Sequence, residues 1–166
     1  LAHAGLSVQF HDHSIDRIYH AFVRGTPGSE AGTIERPVGR HMRDRKKMST
    51  GSRKGRAAVT HWRILERFTP AGTTLLEIRP ETGRTHQIRV HLASMGLPIH
   101  GDEVYGRARK GKKSGLPSLL RPALHASVLG FVHPGTQEKL RFEAPFPRDL
   151  NEWLDILRAR SKEEIH

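Results

Sequence analysis

The chain has 166 residues, 28 lysines and arginines against 17 acidic residues, a formal net charge of +11 and no cysteine. That length suits one domain with a hydrophobic core, and the lack of cysteine excludes a disulfide framework and thiolate metal sites. There is no run of about 18 apolar residues and no signal-peptide layout at the start, so a cytoplasmic protein with no membrane partner is expected, and the charge makes nucleic acid its default partner.

The chain begins at Leu1 rather than Met, and Leu1, Leu6, Val8 and Phe10 read as the tail of a helix, which suggests a piece of a longer protein. Arg17–Gly25 is rich in strand formers, with Ile18, His20 and Phe22 on one face and Tyr19, Ala21 and Val23 on the other. The next thirty residues, through Gly55, are punctuated by Gly and Pro and carry many charges, so they predict an exposed excursion with at most short strands. Ala57–Phe68 and Thr73–Arg79 cluster β-branched and aromatic residues around Pro70, Ala71 and Gly72, the pattern of an antiparallel hairpin. Ile88, His91, Leu92 and Met95 then fall at helical spacing, with Thr85 as the N-cap and Gly96 and Pro98 as the stop. Gly106–Pro122 predicts a loop. Leu124–His133 and Lys139–Glu143 predict a second hairpin, and Leu150, Trp153, Leu154 and Leu157 a terminal amphipathic helix over Pro147–Arg160. Together these give an α+β fold, a mostly antiparallel mixed sheet with a few flanking helices.

Chemistry concentrates in Arg79–His91, where a strand passes through a glycine turn into a helix dense in polar groups. Arg84 and Thr85 add donors at a place where an anion such as phosphate could sit. Arg89 lies between the core candidates Ile88 and Val90 and, if partly buried, needs an anionic partner. Three basic runs supply further phosphate-contact candidates: Arg43, Arg45, Lys46 and Lys47; Arg53, Lys54 and Arg56; Arg107, Arg109 and Lys110. The 12 histidines invite a metal site, yet His86 and His91 are not at i, i+4, and His91, His100 and Asp102 form only a weak ligand-like cluster, so no metal is expected. His86 and His125 read instead as buried hydrogen-bonding supports.

The run Glu81–His91 (ETGRTHQIRVH), continued by His100-Gly101-Asp102 and Val104-Tyr105-Gly106, resembles the RluA-type RNA pseudouridine synthases. Tyr19-His20-Ala21, Ala58–Glu66, Ala123–Ala126 and Phe142–Pro147 follow in that family's order, so the resemblance covers nearly the whole chain. It implies residues 1–166 as a single pseudouridine synthase catalytic domain, incomplete at its N-terminal side. It also implies isomerisation of uridine in structured RNA, by family habit large-subunit ribosomal RNA of the 23S type, without a cofactor and by a monomer. The bond between ribose and N1 of uracil is broken, and the base turns and rejoins through C5. The target must be flipped out of its stack. The resemblance makes Arg89 the partner of a nucleophilic aspartate and Tyr19 the ring stacked on uracil.

That aspartate belongs to an H-R-L-D segment expected shortly before Leu1. Asp12 and Asp16 lack its context, and the 166 residues alone are expected to be inactive. Arg89 is then expected to be left without its anion, in a pocket loosened or filled by solvent or a buffer anion. The competing reading is a non-catalytic basic RNA-binding module; the sequence upstream of Leu1 separates the two.

Overall fold

A computed structural model describes residues 2–44, 46–106 and 116–163. The expected helix tail is a helix, α1 (Ala2–His11), with no buried residue. Its Gln9 amide both donates to the Val132 carbonyl and accepts from the Val132 N–H. Six strands form one sheet in the order β2-β5-β6-β1-β7-β8, with every pair antiparallel. They are β1 (Asp16–Arg24), β2 (Ala31–Glu35), β5 (Val59–Phe68), β6 (Thr73–Pro80), β7 (Leu124–Val132) and β8 (Lys139–Glu143). The two-residue strands β3 (Gly39–Arg40) and β4 (Met48–Ser49) pair with each other outside it. Both predicted hairpins are present, and the long excursion holds only short strands.

Register sorts the side chains, because directly paired antiparallel residues share a face. Tyr19 pairs with Ile78, Ala21 with Leu76, and Trp62 also with Ile78. Over this face lies α2 (Gln87–Ser94), tied to β5 by Gln87 and His91, both bonded to Thr60. On the opposite face, Phe22 pairs with Leu75 and packs against Trp153 of α3 (Arg148–Glu163), with ring centroids 5.9 Å apart. All four stripe residues of α3 are buried. Helix α2 departs from its predicted stripe: Met95 is exposed, while Gln87 and Val90 are buried. A polar side chain at position 87 masked that turn of the core face.

Candidate active site

Between β6 and α2 the chain makes a turn held by side chains. Thr82 Oγ1 accepts from the Val59 N–H and donates to Gln87 Oε1, which also accepts from the Arg84 N–H at 3.0 Å. Gln87 Nε2 donates to the Val59 carbonyl and to Thr60 Oγ1. The predicted N-cap is displaced: the cap is His86, with φ 54° and no capping side chain, and Thr85 is exposed. The Gln87 amide instead reaches back and holds the turn through the Arg84 N–H and Thr82 Oγ1.

Arg89, on α2, meets a carboxylate that the sequence reading did not assign to the site. Its Nε donates to Asp102 Oδ2 at 2.7 Å and its Nη2 to Asp102 Oδ1 at 2.9 Å, a bidentate pair. The Asp102 side chain is fully buried, and its Oδ1 also accepts the Val104 and Tyr105 N–H groups. Burial alone would raise the Asp102 pKa. The hydrogen bonds from Arg89 and the two backbone amides outweigh it and hold the carboxyl below its ordinary value. The same pairing, working against burial, raises the Arg89 pKa. The expectation that Arg89 is orphaned in a loosened pocket is therefore corrected, because Asp102 satisfies it internally. The need of a half-buried arginine for an anion and the acid in the His100-Gly101-Asp102 stretch were both visible in the sequence. What was missing was the fold of residues 96–102 back onto α2.

Tyr105 completes the cluster. Its ring lies 5.0 Å from the Arg89 guanidinium carbon, and its hydroxyl accepts the Met48 N–H at 2.8 Å. That leaves the hydroxyl proton for His86 Nδ1 at 2.9 Å. Burial, helped by the charge of Arg89, lowers the His86 pKa, and burial raises that of Tyr105, so both are neutral near pH 7. His91 is buried, its Nε2 donating to the Arg36 carbonyl and its Nδ1 accepting from Thr60 Oγ1. With His100 hydrogen-bonded to Thr73 and Asp102 to Arg89, the suspected ligand cluster is spent on separate partners. His86 and His125 are half-buried rather than buried, and His125 donates to the Ala144 carbonyl.

Tyr19 and Arg89 line the same cavity, of about 160 Å³, together with Arg17, Thr82, Gly83, Arg84, His86 and Leu124. None of its described lining residues is acidic. Arg89 Nη1 makes no hydrogen bond to a described residue and remains able to receive an anionic oxygen. The placement of Tyr19 depends on a β-bulge. Ile18 pairs with Val128 and Tyr19 with Ala126, leaving Ser127 as the extra residue, and its hydroxyl donates to the Ile18 carbonyl.

A larger cavity, of about 590 Å³, is walled by Thr33, His61, Arg63, Glu77 and Arg79. There Arg63 and Arg79 are both bound to the buried Glu77, whose pKa the Arg63 hydrogen bond does most to lower, to about 2. Its charges are already paired, and none of the resemblance's key residues lines it.

Of the basic candidates, Arg43, Lys46, Arg53, Lys54 and Arg56 are exposed, and Lys47 pairs with Asp44 at 3.6 Å. Arg84 is half-buried, donates to the Ala57 carbonyl, and has its pKa lowered by burial and by the charge of Arg56. The bond from Met48 to Tyr105, whose hydroxyl meets the lining residue His86, ties the β3–β4 loop to the wall of the cavity. Arg45, Arg107, Arg109 and Lys110 lie outside the described residues. Asp16 pairs with Arg141 and Arg79 and does not line this cavity.

Residues 1–94 match the family described as RNA pseudouridylate synthase. The ribosomal large subunit pseudouridine synthase D of Zymomonas mobilis is 46% identical over 90% of this chain and 47% of its own. The chloroplastic RNA pseudouridine synthase 2 of Arabidopsis thaliana is 42% identical over 95% of this chain and 41% of its own. The chain thus spans about half the length of the curated relatives it matches. Among solved structures, human RNA Pseudouridylate Synthase Domain Containing 4 superposes with a TM-score of 0.73 at 26% identity, covering 92% of this chain and 66% of that one. Human RNA Pseudouridylate Synthase Domain Containing 1 does so with 0.70 at 25% identity, covering 94% and 71%. The family model covers more than half of the chain, and with these relatives it shows that the chain belongs to the RNA pseudouridylate synthase family.

Proposed function

We propose that the chain forms one wall of the catalytic centre of an RNA pseudouridine synthase acting on large-subunit ribosomal RNA in the cytoplasm. The observation that carries this is the meeting of Tyr19, from β1, and Arg89, from α2, in one cavity with no acidic lining among the described residues. Tyr19 stacks on the flipped uracil. Arg89, fixed by Asp102 behind it, offers an Nη1 that bonds no described residue to a nucleophilic carboxylate brought by a segment outside these 166 residues. An arginine within about 4–6 Å lowers a carboxylate pKa by roughly 1–3 units, which keeps the nucleophile ionised at neutral pH. The 166-residue chain by itself is then inactive. Phosphates of the RNA meet Arg43, Lys46, Lys47, Arg53, Lys54, Arg56, Arg84 and Thr85.

The test is chemical mapping of pseudouridine in large-subunit RNA treated with the full-length protein. Arg89→Ala and Tyr19→Ala are each expected to lower turnover by about a hundredfold or more. Normal turnover by Arg89→Ala would overturn the assignment.

A further inference from the structure

Several of the described arginines hydrogen-bond a carboxylate: Arg63 and Arg79 bind Glu77, Arg121 binds Asp149, Arg141 binds Asp16, and Arg158 binds Glu66. Arg17 does not. Two residues before Tyr19 on β1, it lines the same cavity. Its Nη2 donates over 3.3 Å to the carbonyls of Pro80 and Glu81, long bonds to neutral acceptors. Its Nε is buried and has no partner among the described residues. A buried N–H donor left unused costs free energy, and the rest of this half-exposed guanidinium is open to an anion. The guanidinium rests 5.6 Å from the Phe10 ring centroid, and its Nη1 would stand 3.1 Å from a Cβ placed on Gly83. Arg84, next to Gly83, lines the cavity as well, and among the described residues its guanidinium donates only to the Ala57 carbonyl.

We propose that Arg17 and Arg84 grip, across Gly83, a backbone phosphate adjoining the nucleotide that enters the cavity beside Tyr19. This rests on the proposed action on RNA and deepens it by naming the group that positions the substrate. The cavity, at about 160 Å³, is well below the roughly 300 Å³ at which pockets for whole ligands begin. It admits a base, while ribose and phosphate stay at the rim, where both arginines are half-exposed. A forked guanidinium suits the paired oxygens of a phosphodiester, which a lysine meets only as a point charge. Glycine at position 83 leaves room for Arg17 Nη1 at a place where a side chain would press on it.

The test is a thermodynamic cycle on the full-length protein. Its probe is the hairpin bound most tightly among hairpins tiling large-subunit ribosomal RNA, with each loop linkage replaced in turn by an uncharged methylphosphonate. For the wild-type protein, one linkage is expected to cost about tenfold in affinity when neutralised. Arg17→Gln should cost a similar factor and lower the slope of log affinity against log salt by about 0.7. In Arg17→Gln, neutralising that same linkage should cost clearly less than in the wild type, leaving only the share contributed by Arg84, and Arg17→Lys should recover only part of the loss. If every linkage costs Arg17→Gln what it costs the wild type, Arg17 merely packs and the inference fails. Turnover of the same hairpins is read separately. Tight binding without pseudouridine would refute the proposed function, while the cycle would still report on Arg17.

Discussion

The Arg89–Asp102 pair has an energetic role separable from catalysis. Removing one partner of a buried pair strands the other charge, at a cost of roughly 3–5 kcal/mol. For a domain of this size each kcal/mol shifts the melting temperature by about 2–4 °C. Asp102→Ala is therefore expected to lower Tm by about 10 °C, and the double variant with Arg89→Ala by less than the sum of the singles. Calorimetry showing a loss below about 3 °C would mean that the pair contributes little. A second expectation concerns acid. Burial, aided by the charge of Arg24, lowers the His100 pKa to about 4, while the unfolded side chain titrates near 6.5. The unfolded chain takes up a proton first, so the stability from a neutral His100 is full above pH 6.5 and is lost as pH falls towards 4. Glu77, depressed from 4.5 to about 2, adds a second loss below pH 4.5. Thermal melts across pH should show both windows, and His100→Gln should flatten the upper one alone. At this scale the sequence was partly legible. Arg89 and Tyr19 carried a recognisable context, but Asp102 and Arg17 take their meaning from contacts that spacing does not encode.

Strands and helices were legible wherever their period was uninterrupted: both hairpins and α3 fall where alternation and the leucine–tryptophan stripe put them. The misreadings cluster at the start of α2, where a glutamine staples the turn and a histidine with positive φ occupies the cap. Polar residues that work inward look, in sequence, like a solvent face. The turn that delivers Asp102 is as constrained. Gly101 has φ +74°, and a Cβ there would overlap the Arg121 carbonyl oxygen. Gly101→Ala should therefore cost at least about 2 kcal/mol, the scale of a forced left-handed residue. It should also raise hydrogen exchange at the Val104 and Tyr105 amides, which bind Asp102. Unchanged exchange at those two amides would show that the turn tolerates the side chain.

For the whole molecule, ion pairing is unevenly distributed. The face carrying Glu77 holds Arg63 and Arg79 in pairs, whereas Arg17, Arg56 and Arg84, on the side of the Tyr19 cavity, have no carboxylate partner among the described residues. The β3–β4 loop adds Arg43 and Lys46 to the edge of that side. Replacing Lys46 and Lys47 by glutamine is expected to weaken RNA binding alike across sequences and to reduce the salt slope by about 1 to 2. Because Lys47 already has Asp44 at 3.6 Å, most of the change should come from Lys46. Filter-binding slopes equal to wild type would remove the loop from the footprint. A net charge of +11 says nothing of direction, and only the sheet's register shows which arginines are neutralised. Such a lopsided charge gives the molecule a heading: in the field of a polyanion it turns the side of Arg17, Arg56 and Arg84 forward before contact. Encounters with RNA should then arrive already oriented, with an association rate that falls steeply as ionic strength rises.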